Sequence, residues 1–433
     1  MDYAVLGRSM PTEADPLRAH RLSLLAGCAC AVVVGVVTVG LAVLRPVVGD
    51  APLVMSRQSG ELFVRVGDGL RPVANLASAY LILGHPATPR LLDGTGLASV
   101  PRGPVLGIPG APRSIGAAMV PADPRWTVCD DRDGATTVSV AGPDEPAELP
   151  AGRAVLVSAS DGSPYLLYDG RRAPVDPHDR VIARTLHLDG VKPRSVSATL
   201  LNAIPEVPAI GSPRIPGAGE PSGVAGFPIG EVLRTARAGS DEYYVVLREG
   251  LQRVGRLTAD LIRFAYPEGD AEIVSVAPDL VAGSGVADTL PVATYPSDAP
   301  ALLEAPGDLC ATWRSGLVGI AAGEMPPARR GGVTLAIADG NGPNVDVVRI
   351  PAGHHLDVTA AMLTTDTGTS GRYLITDAGI RFPLRDSATA IALGLGTAPA
   401  QVPWAIIAAL PAGPELARDA ASVSRDVVAA STP

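Results

Sequence analysis

The residues able to do chemistry are few, and their spacing does not assemble a catalytic site. Gly217, Gly219 and Gly223 approach the G-x-G-x-x-G loop that cradles a dinucleotide, but Ser222 stands where the third glycine belongs and Pro221 precedes it. A phosphate loop must open a helix so that free N–H groups face the anion, and this proline-glycine run predicts more loop instead. Lys192 is the only lysine and follows a valine, so no Gly-Lys-Ser/Thr exists. His354 and His355 are the only adjacent pair among six histidines. On a strand they point to opposite faces and cannot share a metal, so turn or surface histidines are expected. Gly368-Thr369-Ser370-Gly371 fails the nucleophile-elbow spacing because Arg372 takes the final position. Asp339-Gly340-Asn341-Gly342 fails as a calcium loop, since Pro343 replaces the third ligand and no glutamate closes it. Both read as turns. The expectation is no catalytic residue, no metal and no cofactor, with ATP hydrolysis unsupported.

Cysteine carries the remaining chemistry. Cys28 and Cys30 lie in an apolar run near the N-terminus, which leaves Cys129 and Cys310 alone in the body. Two lone cysteines fit one disulfide in an oxidising compartment, or a pair of buried thiols. Trp126 stands three residues before Cys129 and Trp313 three after Cys310. Burial of both indoles against the bridge is the structural reading, because tryptophan supplies large contact area in a chain with only 3 Trp, 9 Tyr and 4 Phe; ligand stacking is the functional one.

The elements that must position these residues begin with an uncharged run from Leu22 to Leu44. As a helix it reaches roughly 34 Å, enough for a hydrocarbon core of about 30 Å. A cleaved signal peptide is the alternative, with a weak site at Val47-Val48-Gly49. Arg8, Arg18 and Arg21 precede the run while Arg45 and Arg57 follow it, a small bias toward an N-terminus inside the cell. The net charge of −9 makes nucleic acid a poor partner. With 48 glycines and 42 prolines but an apolar fraction of 47 %, the body predicts many short strands and turns around a real core.

Four segments share one pattern, an apolar run, an acidic-glycine turn and a return to valine or leucine: LFVRVGDGLRPV around Gly69, YLLYDGRRAPV around Gly170, YYVVLREGLQRV around Gly250 and YLITDAGIRFPL around Gly379. Each predicts a hairpin whose glycine permits positive φ. Gly69 and Gly250 each precede their cysteine by 60 residues, an offset of 181 at which Phe63 meets Tyr244, Leu70 meets Leu251 and Val73 meets Val254. Gly170 and Gly379 are 209 apart, which places about 28 extra residues in the second half, most simply at Gly331 to Ile350. The body therefore reads as a duplication, against the alternative of unrelated hairpins in one irregular β domain. The Pro/Gly tracts Val105 to Pro112 and Gly211 to Gly223 read as connectors or binding loops and not strands. The end of the chain from Glu415 suits a short frayed helix or mobile tail.

In chain order, the anchor, LFVRVGDGLRPVANLASAYLILGHPATP from Leu62, GIPGAP from Gly107, WTVCD from Trp126 and the Cys310–Trp313 segment are similar to the EccB family. EccB is the single-span component of the actinobacterial type VII (ESX) secretion membrane complex. The resemblance implies a mainly β fold, with an N-terminal transmembrane helix and a distorted propeller-like periplasmic body of four β repeats around a central β domain. It implies assembly with EccC, EccD and EccE, where EccC is the motor ATPase, and with other copies of itself at the inner membrane. The family also carries an ATPase label. Only 21 residues precede the span, where the family has a longer basic segment; either contacts through it differ or the start is assigned late. The expected organisation is a cytoplasmic segment 1–21, the span 22–44, repeat one 45–104, the central domain 105–150 and 271–330, repeats two and three 151–210 and 211–270, repeat four with an insertion 331–410, and a tail 411–433. The function expected is structural and assembly-related; a cell-wall glycan platform is the alternative from another class, weakened by the scarcity of aromatics.

Overall fold

A computed structural model of the chain describes residues 23, 26–36 and 50–426, with gaps at 95–96, 98–100, 120–123, 141–146, 225, 238, 267–272, 305–306, 324–331 and 362–370. Residues 23 and 26–36 are helical and exposed. The rest of the expected 22–44 span lies outside the described residues, among which no helix is long and apolar enough to cross a membrane. The body is mainly β with short helices. It divides into two compact units, residues 1–72 with 87–104 and residues 73–86 with 105–433.

One unit design recurs four times along the chain. The first runs β1 (Leu53–Ser56), β2 (Leu62–Val66), β3 (Gly69–Val73), α1 (Leu76–Leu83) and β4 (Arg90–Leu92). After β5 (Val105–Leu106), β6 (Ala117–Ala118), β7 (Trp126–Asp130) and β8 (Thr136–Val140) comes the second: β9 (Arg153–Ser158), β10 (Pro164–Tyr168), β11 (Arg171–Pro174), α2 (Arg180–Thr185) and β12 (Arg194–Ser195), trailed by α3 (Ala198–Asn202). The third is β13 (Val232–Arg237), β14 (Ser240–Leu247), β15 (Gly250–Val254), α4 (Arg256–Ala265) and β16 (Val274–Ser275), trailed by α5 (Pro278–Gly283). β17 (Ala301–Leu302), β18 (Asp308–Arg314), β19 (Leu317–Gly323), β20 (Val333–Thr334) and β21 (Val347–Arg349) follow. The fourth is β22 (His354–Ala361), β23 (Arg372–Thr376), β24 (Arg381–Leu384), α6 (Ser387–Ala392) and β25 (Ala400–Pro403), then α7 (Trp404–Ala409), α8 (Arg418–Ala421) and β26 (Ser424–Arg425).

In every case three strands form an antiparallel meander, a helix follows, and the fourth strand returns parallel to the first, giving the spatial order third-second-first-fourth. The helix starts are capped where the sequence supplies a short polar side chain: Asn75, Asp179 and Asp386 each accept a backbone N–H of the first turn. The 181-residue offset carries β3 onto β15 residue for residue.

The outer edge of each third strand is covered by an extended strap running parallel to it. Leu70 donates to the Pro101 carbonyl at 3.0 Å and accepts from Gly103; Arg172 does the same with Pro205 and Val207, Leu251 with Gly285 and Ala287, and Arg381 with Pro411 and Gly413. The straps read PRGPVL, PEVPAI, GVADTL and PAGPEL, ending at Leu106, Ile210, Leu290 and Leu416. Proline fits here because the ladder uses the carbonyl of the first residue and the N–H of the third, never the N–H that proline lacks. Val105 and Leu106 are thus a strand, contrary to the connector reading, because the third strand offers a free edge for proline-rich backbone.

The chain end is also held. Leu416, Ala417 and Ala421 are buried, Arg385 pairs with Glu415 and Asp419, and β26 pairs antiparallel with β5. The expectation of a frayed helix or mobile tail from Glu415 is corrected over its described residues: short helices become ordered when an apolar face is buried, which local propensity does not report.

Candidate functional site

The central sheet has the order β19-β18-β7-β8-β21-β20. Two adjacent inner strands, β7 and β18, come one from each half of the chain and pair antiparallel with Cys129 opposite Cys310 and Trp126 opposite Trp313. Cys129 and Cys310 are joined by a disulfide with their Cα atoms 4.1 Å apart, and both are buried. They form a small cluster with Ala321 of β19. The same face carries the buried hydroxyls of Thr127, Thr137, Ser139 and Thr312, and a cavity of about 530 Å³ reaches Cys129 beside Asp131, Arg132, Asp308 and Arg349.

The tryptophans do not pack against the bridge. Trp126 and Trp313 are buried in the main core with Val128, Val138, Leu309 and Ala311, on the opposite face. A spacing of three along a strand reverses the face, because side chains alternate with period two; the reading of indoles against the disulfide is corrected on that ground.

A buried polar knot closes one end of this sheet. The Asp130 carboxylate accepts from the Ser197 backbone N–H at 2.6 Å, from the Ser197 hydroxyl at 2.8 Å and from the Thr136 hydroxyl at 2.9 Å. The Arg194 guanidinium donates to the carbonyls of Asp130, Asp131 and Gly307 at 2.7–2.9 Å, holding the ends of β7 and the approach to β18. Burial pushes the Asp130 carboxyl above its ordinary range, outweighing the hydrogen bonds and the nearby Arg194, and burial lowers the Arg194 pKa. Asp346 does similar work next door, accepting from Thr136 N–H at 2.7 Å and from the backbone of Asp339 and Gly340. Asp130 was visible as the last residue of WTVCD; what ties Arg194, Ser197 and Asp346 to β7 and β8 carries no local sequence signal, because those contacts span 63 to 210 residues.

The four hairpin glycines serve two kinds of close approach. A Cβ on Gly170 would lie 2.1 Å from the Val318 carbonyl of β19, and one on Gly379 would meet Val348 of β21 at 2.7 Å, so these turns abut the central sheet. A Cβ on Gly250 would lie 2.1 Å from the Gly285 carbonyl of its strap, and Gly69 has 3.2 Å to the Pro101 carbonyl of its own. Gly170, Gly250 and Gly379 have positive φ; Gly69 does not, and in the first turn Gly67 takes that role.

The remaining candidates stay apart. His354 is at the surface end of β22, but His355 is buried with Nδ1 2.8 Å from the Gly116 carbonyl, since β6 covers that edge; the surface reading fails for His355. Gly217 and Gly219 have positive φ in a loop spanned by the Arg248–Glu220 ion pair, and no helix follows it. Gly368 to Ser370 lie outside the described residues. No group of three metal-ligating side chains occurs among the described residues.

A meander-helix-strand unit that recurs four times along the chain, and a six-stranded sheet bridged by a disulfide, define a mainly β protein of repeated design. The chain belongs to the EccB family of type VII secretion components: the family model "Type VII secretion system ESX-1, transport TM domain B" matches residues 1–430. It is 35 % identical to the ESX-3 secretion system ATPase EccB3 of Mycolicibacterium smegmatis, over 96 % of this chain and 86 % of that protein. It is 31 % identical to the ESX-5 secretion system ATPase EccB5 of Mycobacterium marinum, over 96 % and 89 %. Among solved structures it resembles a chain of the intact ESX-5 inner membrane complex, with TM-score 0.74, 30 % identity and coverage of 98 % and 92 %. It also resembles the EccB3 dimer from the ESX-3 core complex, with TM-score 0.75, 31 % identity and coverage of 86 % and 100 %.

Proposed function

We propose that this chain is a structural and assembly component of a type VII secretion membrane complex. Its N-terminal helix anchors a periplasmic, propeller-like body that contacts further copies of itself and the EccC, EccD and EccE components. The observation that carries the reading is the match over 98 % of the chain to a subunit of an intact inner membrane complex. The apolar run 22–44 supports the anchor: Val32, Val33, Val34 and Val36 are each 60 % or more exposed on the described helix, an arrangement suited to lipid. Three arginines before the run against two after it support an N-terminus inside.

The relatives' ATPase names bring no site with them here. Lys192 is the only lysine, and the Gly217–Gly223 loop opens no helix. Deleting residues 45–433 should abolish secretion and complex assembly together; secretion that continues without the body sinks the proposal. A reporter fused after Arg45 should be active only outside the cytoplasmic membrane, and a mature N-terminus near Asp50 would replace the anchor by a cleaved signal.

A further inference from the structure

The duplication allows the repeats to be compared as one design with different fillings. In the first and third repeats the segment leaving the strap folds back over the residues between the third strand and the helix. After Leu106, Ile108 and Ala111 are buried there, the Ile108 carbonyl accepts from Asn75, and the Pro112 carbonyl accepts from the Ala77 N–H. After Leu290, the chain PVATYPS brings the Ser297 carbonyl to the Leu257 N–H at 3.0 Å, tight against Gly255. In the second repeat the segment after Ile210 departs instead: Gly211 donates to the Tyr295 hydroxyl and Ile215 to that of Tyr266. The position it vacates is an open cavity of about 850 Å³.

We propose that this cavity binds a proline-containing turn of a partner protein that carries a basic side chain. Two of the chain's own repeats show what fits the place, a turn in a proline-containing run, closed from the Ala111 N–H to the Ile108 carbonyl in the first and from the Tyr295 N–H to the Val292 carbonyl in the third. The cavity suits such a segment: Tyr165, Val175, Val191 and Ile210 give it apolar walls, four prolines line it, and Asp176 and Asp189 are exposed charges with no arginine or lysine in the lining. Proline presets φ in such a segment, so less conformational entropy is lost when it is bound. The proposal goes beyond the assembly role, and a complex that assembles with the groove blocked leaves that role standing.

The test uses the full chain in detergent and the fluorescein-labelled peptide GIPGAPR, which is residues 107–113 of this chain supplied in trans. Saturable binding is expected. It should weaken about fivefold or more in the Asp176→Asn, Asp189→Asn double variant and with the proline-free peptide GIAGAAR, and be lost in Ala209→Arg, an exposed substitution at the cavity wall. All three substituted residues are exposed, so circular dichroism should be unchanged. No saturable binding to the unaltered chain, or binding indifferent to both proteins' substitutions and to proline, overturns the proposal. Self-association of the chain that Ala209→Arg abolishes would assign the cavity to a second copy and overturn it equally.

Discussion

Trp126 and Trp313 stand opposite one another on β7 and β18, as do Cys129 and Cys310 three residues away, and the two pairs occupy opposite faces of the same sheet. The seam between the two halves of the duplication is therefore held covalently on one side and by aromatic burial on the other. Each hold can be removed alone.

Cys129→Ser should yield a folded protein of lower thermal stability. In the chain-entropy model a 181-residue loop is worth about 5 kcal/mol, which sets an upper estimate. Non-reducing peptide mapping of envelope-derived protein should recover a crosslinked peptide containing both cysteines; free thiols at both positions would refute it. Trp313→Ala should cost about 3–5 kcal/mol and leave that crosslink intact.

Asp130 makes stability depend on pH in the direction opposite to a salt-bridged carboxylate. Its folded pKa is raised by burial, so from about pH 4 up to the raised value the folded chain keeps a proton the unfolded chain has released. Stability from this group is greatest below that window and is lost as pH rises through it. Urea midpoints measured between pH 4 and 7 should fall less steeply in Asp130→Asn than in the unaltered chain. Asp130→Ala, which strands the Ser197 N–H and two hydroxyls, should cost about 3 kcal/mol at the acid end of that range and less at the neutral end.

The hairpin glycines should rank by what a methyl group would strike. Gly170→Ala and Gly250→Ala push a Cβ into a backbone carbonyl from a positive φ and should each cost about 2–4 kcal/mol. Gly69→Ala, without positive φ and with 3.2 Å of room, should cost under about 1 kcal/mol. Thermal melts of the three variants check the order, and equal costs would contradict the assigned contacts.

Removing residues 415–433 should destabilise the cluster that Leu416 and Ala421 share with Leu374, Phe382 and Leu81. Loss of the Leu416 side chain alone, as Leu416→Ala, should cost about 2–5 kcal/mol. Faster amide exchange in β24, whose edge the 411–416 strap covers, should accompany it.

The sequence by itself determined the hairpins, the duplication and the pairing of the two body cysteines. Hairpin signals are local, an offset of 181 repeats them in order, and two cysteines at matching positions leave one partner each. It also placed the family, because several modest motifs keep their order. Tertiary structure alone decided which face each residue serves: a spacing of three separates tryptophan from disulfide, and only the pairing of β7 with β18 makes that separation matter. It decided the straps, since a proline-rich run reads as a connector until a third strand some 30 residues away presents an unpaired edge. And it decided the polar knot, because each carboxylate combines partners six or seven residues away with one that is distant in the chain, Ser197 for Asp130 and Thr136 for Asp346, and a carboxylate's environment is set by what burial brings to it.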